Sequence, residues 1–210
     1  MKITVFGATG GTGQQLVRQA CAAGHDVTAV VRDPAKLTET HPLLTVVRAD
    51  VMDPESIGSA IAGRDAIASA LGGRGGGPHR VCTDSATSIA KAMAAQGVQR
   101  LVAVSNSGMI RDAADGPITR FVAKPILSRL LREGWADMAR MEDIIRATDL
   151  DWTLMRPPML TDGPRTGTYR TAVDHTIRGG NRISRADLAD GILRVLADPA
   201  SVRTAVALAN

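Results

Sequence analysis

Residues 3–13, Ile-Thr-Val-Phe-Gly-Ala-Thr-Gly-Gly-Thr-Gly, constrain this chain more than any other segment. Ile3, Val5 and Phe6 are apolar and stiff, as a buried parallel strand requires. Glycines stand at 7, 10 and 13, and residues 14–23 continue as a helix. A strand that ends in a Gly-rich turn and opens a helix is a device for holding phosphate. Gly7 permits the tight turn, and Gly10 lets the backbone approach a pyrophosphate. Gly13 lets the helix pack close to the strand, while free N–H groups at the helix start face the anion. The string draws its specificity from that context, after a strand and before a helix.

The rest of the chain repeats the alternation. Strands are expected over 2–6, 27–32, 44–49, 65–70, 100–105 and 151–156. Helices are expected over 11–23, 54–62, 83–96, about 125–147, and 185–197. This rhythm predicts an α/β fold: a doubly wound, mostly parallel, Rossmann-like sheet with helices on both faces. No composition shift divides the chain, so residues 1–210 read as a single domain. Ligand is expected at the carboxyl ends of the strands. Asp33-Pro34 and Asp53-Pro54 read as N-caps with Pro at the first helical position. Residues 72–79 and 157–170 read as loops leaving strand ends on the ligand side. Segments 72–79, 105–125 and 157–180 are expected to shape the pocket for a second ligand, a small-molecule acceptor.

Composition narrows the function classes. The net charge is +4, but arginines are spread along the whole chain, and Phe6, Phe121, Trp135, Trp152 and Tyr169 are the only aromatics. Nucleic acid is therefore not an expected partner. No apolar run approaches a membrane span, so no membrane partner is expected either. Cys21 and Cys82 have neither metal-ligand nor C-x-x-C spacing, which suits a reducing cytoplasm. His25, His41, His79 and His175 share no ligand spacing, so no metal is expected. Helices 83–96 and 125–147 can be exposed or paired, which leaves monomer and homodimer both open.

The residue closing the second strand chooses between dinucleotides. A carboxylate there holds the ribose 2′-OH of NAD, whereas a cation accommodates the 2′-phosphate of NADP. Arg32 stands at that point with Lys36 one turn on, and its planar fork suits phosphate. Asp33 is better explained as the cap before Pro34. Asp50-Val51 follows the third strand, where an adenine can be bracketed; Asp50 equally suits capping a turn.

These residues resemble the atypical, extended short-chain dehydrogenase/reductases, in particular the flavin reductase/biliverdin reductase B group and the NmrA-like NAD(P)-binding proteins. The resemblance rests on Gly7-Ala-Thr-Gly-Gly-Thr-Gly13, Val31-Arg32-Asp33, Asp50-Val51, Leu71-Gly72 and Leu101-Val-Ala-Val-Ser105. It continues through Pro157-Pro158, Thr166-Gly-Thr-Tyr169 and Ile183-Ser-Arg-Ala-Asp-Leu-Ala189. It implies NADP held by Thr9, Gly11, Thr12, Arg32, Lys36, Asp50, Val51, Leu71 and Gly72, and Arg74 is a further candidate cofactor-binding residue. Residues 105–106 and Pro157, Pro158, Met159 and Leu160 complete the implied set, with Gly7, Gly10 and Gly13 building the loop. The sequence departs from the flavin reductase pattern at Met159, where that group has histidine after its Pro-Pro pair. Asn106 takes the place of that group's serine, flanked by Ser105 and Ser107.

Tyrosine-dependent dehydrogenases need a tyrosine with a lysine four residues on, to protonate a carbonyl oxygen. Here the one tyrosine is Tyr169 and residue 173 is Val, so that device is absent. Hydride transfer without a protein acid suits an acceptor that spreads the resulting charge, such as a flavin or quinone. The leading expectation is thus an NADPH-dependent oxidoreductase, with flavin a substrate rather than a prosthetic group. A non-catalytic NADP-binding redox sensor and a single-metabolite reductase or isomerase are the alternatives. Ser105, Asn106 and Ser107 are the candidate catalytic polar groups beside the nicotinamide, or else they satisfy a strand-end turn. Met109, Met138, Met141, Met155 and Met159 suit either a pocket for flat acceptors or core filling. Trp135 can stack on a ring or fill the core. Arg120, Lys124, Arg129 and Arg132 can steer an anion or form a solvated helix face. His79 is a candidate proton donor. Arg156 is a candidate anchor for an acidic group or for Asp162.

Overall fold

The computed structural model describes residues 1–73, 80–110, 129 and 131–210. The expected strands form as β1 (Lys2–Phe6), β2 (Asp26–Val31), β3 (Leu44–Arg48), β4 (Ala66–Ser69), β5 (Arg100–Val104) and β6 (Asp151–Arg156). Helices among the described residues are α1 (Gly11–Ala22), α2 (Gly58–Ile61), α3 (Val81–Gln96), α4 (Arg132–Arg146) and α5 (Arg185–Ala197). Four further strands are present: β7 (Met159–Thr161), β8 (Arg170–Val173), β9 (Arg182–Ser184) and β10 (Thr204–Ala209).

The main sheet runs β3-β2-β1-β4-β5-β6-β10-β8, and β7 pairs with β9 apart from it. Every pairing in the main sheet is parallel except that of β8 with β10. The order reverses between β1 and β4, which makes their carboxyl ends the topological switch point of a doubly wound sheet.

The two-residue period of a strand divides β1 between two cores. Ile3 and Val5 join Leu16 and Val17 of α1 and Leu188 and Ile192 of α5 on one face. Phe6 joins Ile61 of α2, Ile89 and Met93 of α3, and Met141 and Ile145 of α4 on the other. Thr4, on that second face, stays satisfied in the core by donating to the Ala60 carbonyl.

The expected helix over 54–62 shrinks to Gly58–Ile61. Local side-chain bonds compete with its first turn: the Asp53 carboxylate accepts from Glu55 N, and Ser56 Oγ donates to the Asp50 and Asp53 carbonyls. Asp33 does cap a turn before Pro34, accepting from Ala35 N, but the turn is a short 3-10 segment ending at Lys36. The segment expected as a loop over 157–170 carries β7 inside it. Of the helix expected over 125–147, residues 132–146 are helical, and those before 129 lie outside the described residues. No helix among the described residues is long and apolar enough to cross a membrane.

Candidate functional site

A cleft of about 820 Å³ opens at the carboxyl ends of β1, β2, β3 and β4. Its floor is the turn between β1 and α1. Gly7 has φ +77°, a left-handed conformation that L side chains rarely adopt. A Cβ on Gly13 would lie 2.1 Å from the Gly7 carbonyl oxygen, so α1 packs on the strand end more closely than alanine allows. Gly10 N donates to the Gly7 carbonyl at 2.9 Å and closes the turn.

The start of α1 is left open to the cleft. Gln14 N takes the Gly10 carbonyl, so the N–H groups of residues 11–13 have no helical acceptor. Gly10 supplies no side-chain cap, and the first turn holds no acidic residue. Two other helix starts are filled by side chains. The Asp137 carboxylate accepts from Cys82 N and Thr83 N at the head of α3, and Ser184 Oγ accepts from Asp187 N at the head of α5. An uncapped helix start with positive partial charge, set in a cleft, suits an anion.

Gly7, Thr9, Gly10, Gly11, Thr12, Arg32, Asp50, Val51, Leu71 and Gly72 all line this cleft. Arg32 sits one residue past β2 and pairs with no carboxylate among the described residues. Lys36 does not line the cleft; its ammonium faces Asp33 at 3.6 Å. Asp50 caps a turn, its carboxylate accepting from Met52 N, and the residue also lines the cleft. Gly13 lies behind the wall, in the packing role described above. Arg74, His79, Arg120 and Lys124 lie outside the described residues.

Ser105, Asn106 and Ser107 follow β5 and are not part of the cleft wall. Ser105 is 3% exposed, and its hydroxyl donates to Glu142 Oε1 at 2.6 Å. Glu142 is held in turn by the Arg156 guanidinium, through Nε at 3.0 Å and through Nη2. Asn106 Oδ1 accepts from Gly108 N, and Ser107 N donates to the Pro157 carbonyl at 2.9 Å. This last bond brings the 105–107 turn against the Pro157-Pro158 segment. Pro157, Pro158, Met159 and Leu160 lie outside the cleft wall. Met159 is 66% exposed, and Leu160 packs partly on the core. Arg156 is thus the partner of Glu142 and not of Asp162, whose carboxylate pairs with Arg185. Met141 and Met155 are core residues, while Trp135 lies half-buried against Gly108.

Tyr169 packs partly on the core shared by α1 and α5, beside Asp190 and Gly191 of α5. Its hydroxyl donates to Asp190 Oδ2 at 2.7 Å, and Arg165 and Arg194 also pair with Asp190. Burial and the Asp190 carboxylate raise its pKa well above the ordinary phenol value. It does not line the cleft.

Sequence reasoning passed over Arg185. It lines the cleft, its stem crosses Gly11, and its Nη1 donates to Asp162 Oδ1 at 2.5 Å. Its signal is spacing in the fold rather than in the chain, because β9 delivers it to the phosphate turn from far along the sequence.

The parallel sheet, the switch-point cleft and the glycine turn define a dinucleotide-binding protein of Rossmann type. Residues 7–199 match the family model described as NAD(P)H-binding, and the chain belongs to that family. It is 32% identical to an uncharacterised chloroplast protein of Arabidopsis thaliana, covering 93% of this chain and 71% of that one. It is 31% identical to the 3-diazoavenalumate denitrifying reductase of a Streptomyces species, covering 81% of this chain and 59% of that one. Among solved structures, a Burkholderia pseudomallei protein designated exported superposes with TM-score 0.84 at 28% identity, each chain covered in full. A short-chain dehydrogenase/reductase of Veillonella parvula in complex with NADP has the same fold, with TM-score 0.79 at 19% identity, covering 100% of this chain and 94% of that one.

Proposed function

We propose that the protein is an NADPH-dependent oxidoreductase that passes hydride to a flavin, a quinone or a similar conjugated acceptor. The observation that carries the acceptor class is the placement of Tyr169. The only tyrosine of the chain is bound to Asp190, held protonated and set away from the cleft. An acceptor served here must stabilise its own negative charge.

The residues fit the cofactor. The glycine turn admits a close backbone approach, the α1 start supplies unpartnered N–H groups, and the cleft is of the size that takes a nucleotide. Arg32 would hold the 2′-phosphate, Asp50 and Val51 would flank the adenine, and the helix start would hold the diphosphate. When bound, the reduced nicotinamide supplies the hydride. Ser107 N ties the 105–107 turn to Pro157, so those two segments are the proposed walls beside the reacting ring. The NADP complex of the Veillonella protein supports the cofactor choice. The Streptomyces relative is named for reduction of a diazo compound, and a diazo group is an electron-poor acceptor that needs no tyrosine acid. Cys21 and Cys82 are both free and buried, which supports a reducing cytoplasm.

A second reading, a non-catalytic NADP-binding sensor, is favoured by one observation. Ser105 Oγ and Asn106 Oδ1, two of the three candidate polar side chains, are already engaged by Glu142 and Gly108 N. Steady-state oxidation of NADPH and NADH with FMN, riboflavin and small quinones separates the two. Turnover above the uncatalysed rate with NADPH preferred supports the reductase. Tight NADP binding with no turnover across the panel supports the sensor.

A further inference from the structure

We infer that Arg185 is a cofactor-binding residue: its guanidinium holds the diphosphate at the start of α1, and Asp162 keeps it there until the cofactor arrives. The inference rests on the dinucleotide reading above and extends it to a residue outside the glycine loop.

Arg185 is the first residue of α5, and β9 delivers it to the cleft wall. Its side chain crosses the head of α1. A Cβ on Gly11 would lie 2.6 Å from Arg185 Cδ and 2.9 Å from its Nε. A side chain at position 11 would displace the Arg185 stem from over the helix start. The unpartnered N–H groups of that start and the guanidinium thus converge on one region of the cleft. Neither an acid in the first turn of α1 nor a side-chain cap competes for them.

The pair with Asp162 does not explain the placement as scaffolding. The Asp162 side chain is 90% exposed, and an ion pair in that setting contributes little to stability. Arg185 Nη1 donates to Asp162, and a guanidinium has further N–H donors for a second anion. Arg32, the other cation of the described cleft wall, stands past the end of β2, at the proposed 2′-phosphate end. Lys36 faces Asp33 instead. Arg185 is thus the described cation placed for the diphosphate. Asp162 immediately follows β7, so the guanidinium links the Pro157–Thr161 segment to the phosphate turn. Donors suffice for both anions, but Asp162 neutralises part of the positive charge that the diphosphate meets and repels it, so the two oppose each other at the same guanidinium.

The test is calorimetric titration of the full chain with NADP, ADP and 2′-AMP. Arg185→Met keeps the stem over Gly11 and removes the charge; Arg185→Lys restores a point charge; Asp162→Asn removes the competitor. Arg185→Met is expected to weaken NADP and ADP by about tenfold to a hundredfold, the range for a charge-assisted hydrogen bond, and to leave 2′-AMP unchanged. Arg185→Lys is expected to fall between wild type and Arg185→Met. Asp162→Asn is expected to tighten NADP by about threefold, the scale of an exposed ion pair. Unchanged NADP and ADP affinity in Arg185→Met overturns the inference, as does an equal loss for 2′-AMP. Weaker NADP binding in Asp162→Asn overturns the competition. Failure of the wild type to bind NADP at all overturns the cofactor reading itself, an outcome distinct from the others.

Discussion

Arg32 and Tyr169 carry the functional reading in opposite ways, one by having no carboxylate partner among the described residues and the other by giving its hydroxyl to Asp190. Arg32 faces the cleft without a carboxylate partner among the described residues, so a 2′-phosphate meets no described competitor there. Arg32→Asp is expected to weaken NADP by about tenfold to a hundredfold and to leave NAD affinity nearly unchanged, read by fluorescence titration of both. Tyr169 spends its hydroxyl on Asp190. Tyr169→Phe is expected to lower stability by about 1–2 kcal/mol in urea unfolding, because Asp190 loses a donor in a buried cluster. Turnover with a conjugated acceptor should survive that substitution. A tyrosine acting as the acid would instead show a loss of about a hundredfold or more. Gly13→Ala forces a Cβ to within 2.1 Å of the Gly7 oxygen. It is expected to cost about 1–3 kcal/mol and to abolish measurable NADP binding, since the turn must shift.

At the scale of elements, the start of α3 is fixed by a carboxylate from elsewhere in the chain. Asp137 of α4 accepts from Cys82 N, Thr83 N and Thr83 Oγ1 and so starts α3 two residues earlier than expected from sequence. Burial raises its carboxyl pKa, but these donors outweigh burial and hold it below the ordinary value. Burial first, and then the same acid, push the Cys82 thiol up to about 12. Cys82 is therefore an inert core thiol. Asp137→Ala is expected to lower stability by about 1–2 kcal/mol, read as the urea midpoint, since it removes a cap and leaves buried N–H groups unpaired. The alternating strands and amphipathic helices were legible because their signals are local. Strand β10 was not: Thr-Ala-Val-Ala-Leu-Ala is rich in alanine, which has little strand preference, and it forms because β6 and β8 flank it. Asp162, Glu142 and Arg185 were misjudged or missed for a related reason. Their partners lie across the fold, and local spacing cannot rank Glu142 above Asp162 as the partner of Arg156.

Across the whole molecule, the Ile183–Ala189 motif ties together segments far apart in the chain. The Asp187 carboxylate accepts from Thr166 N, Gly167 N and Thr166 Oγ1, and Gln19 of α1 donates to the Ala186 carbonyl. The motif therefore fastens the 166–169 turn and α1 to the same helix, beside Arg185. Burial opposes ionisation of Asp187 and Asp190, yet their donors prevail and both pKa values are lowered, as for Asp137. A lowered folded-state pKa gives stability that is present above the unfolded value and is lost as pH falls through the folded value. Urea unfolding should thus show stability level with respect to these groups above about pH 5 and falling below it. Asp187→Asn should be less stable at neutral pH and show a shallower acid slope.

The central claim is hydride transfer to a conjugated acceptor without a protein acid. Its most direct test is anaerobic single-turnover mixing of NADPH-loaded protein with FMN or a small quinone, following nicotinamide and acceptor absorbance together. The account predicts matched loss of NADPH and reduction of acceptor, faster than without protein and retained in Tyr169→Phe. NADPH that stays bound and unoxidised across the acceptors, or a reaction lost in a folded Tyr169→Phe, would contradict it.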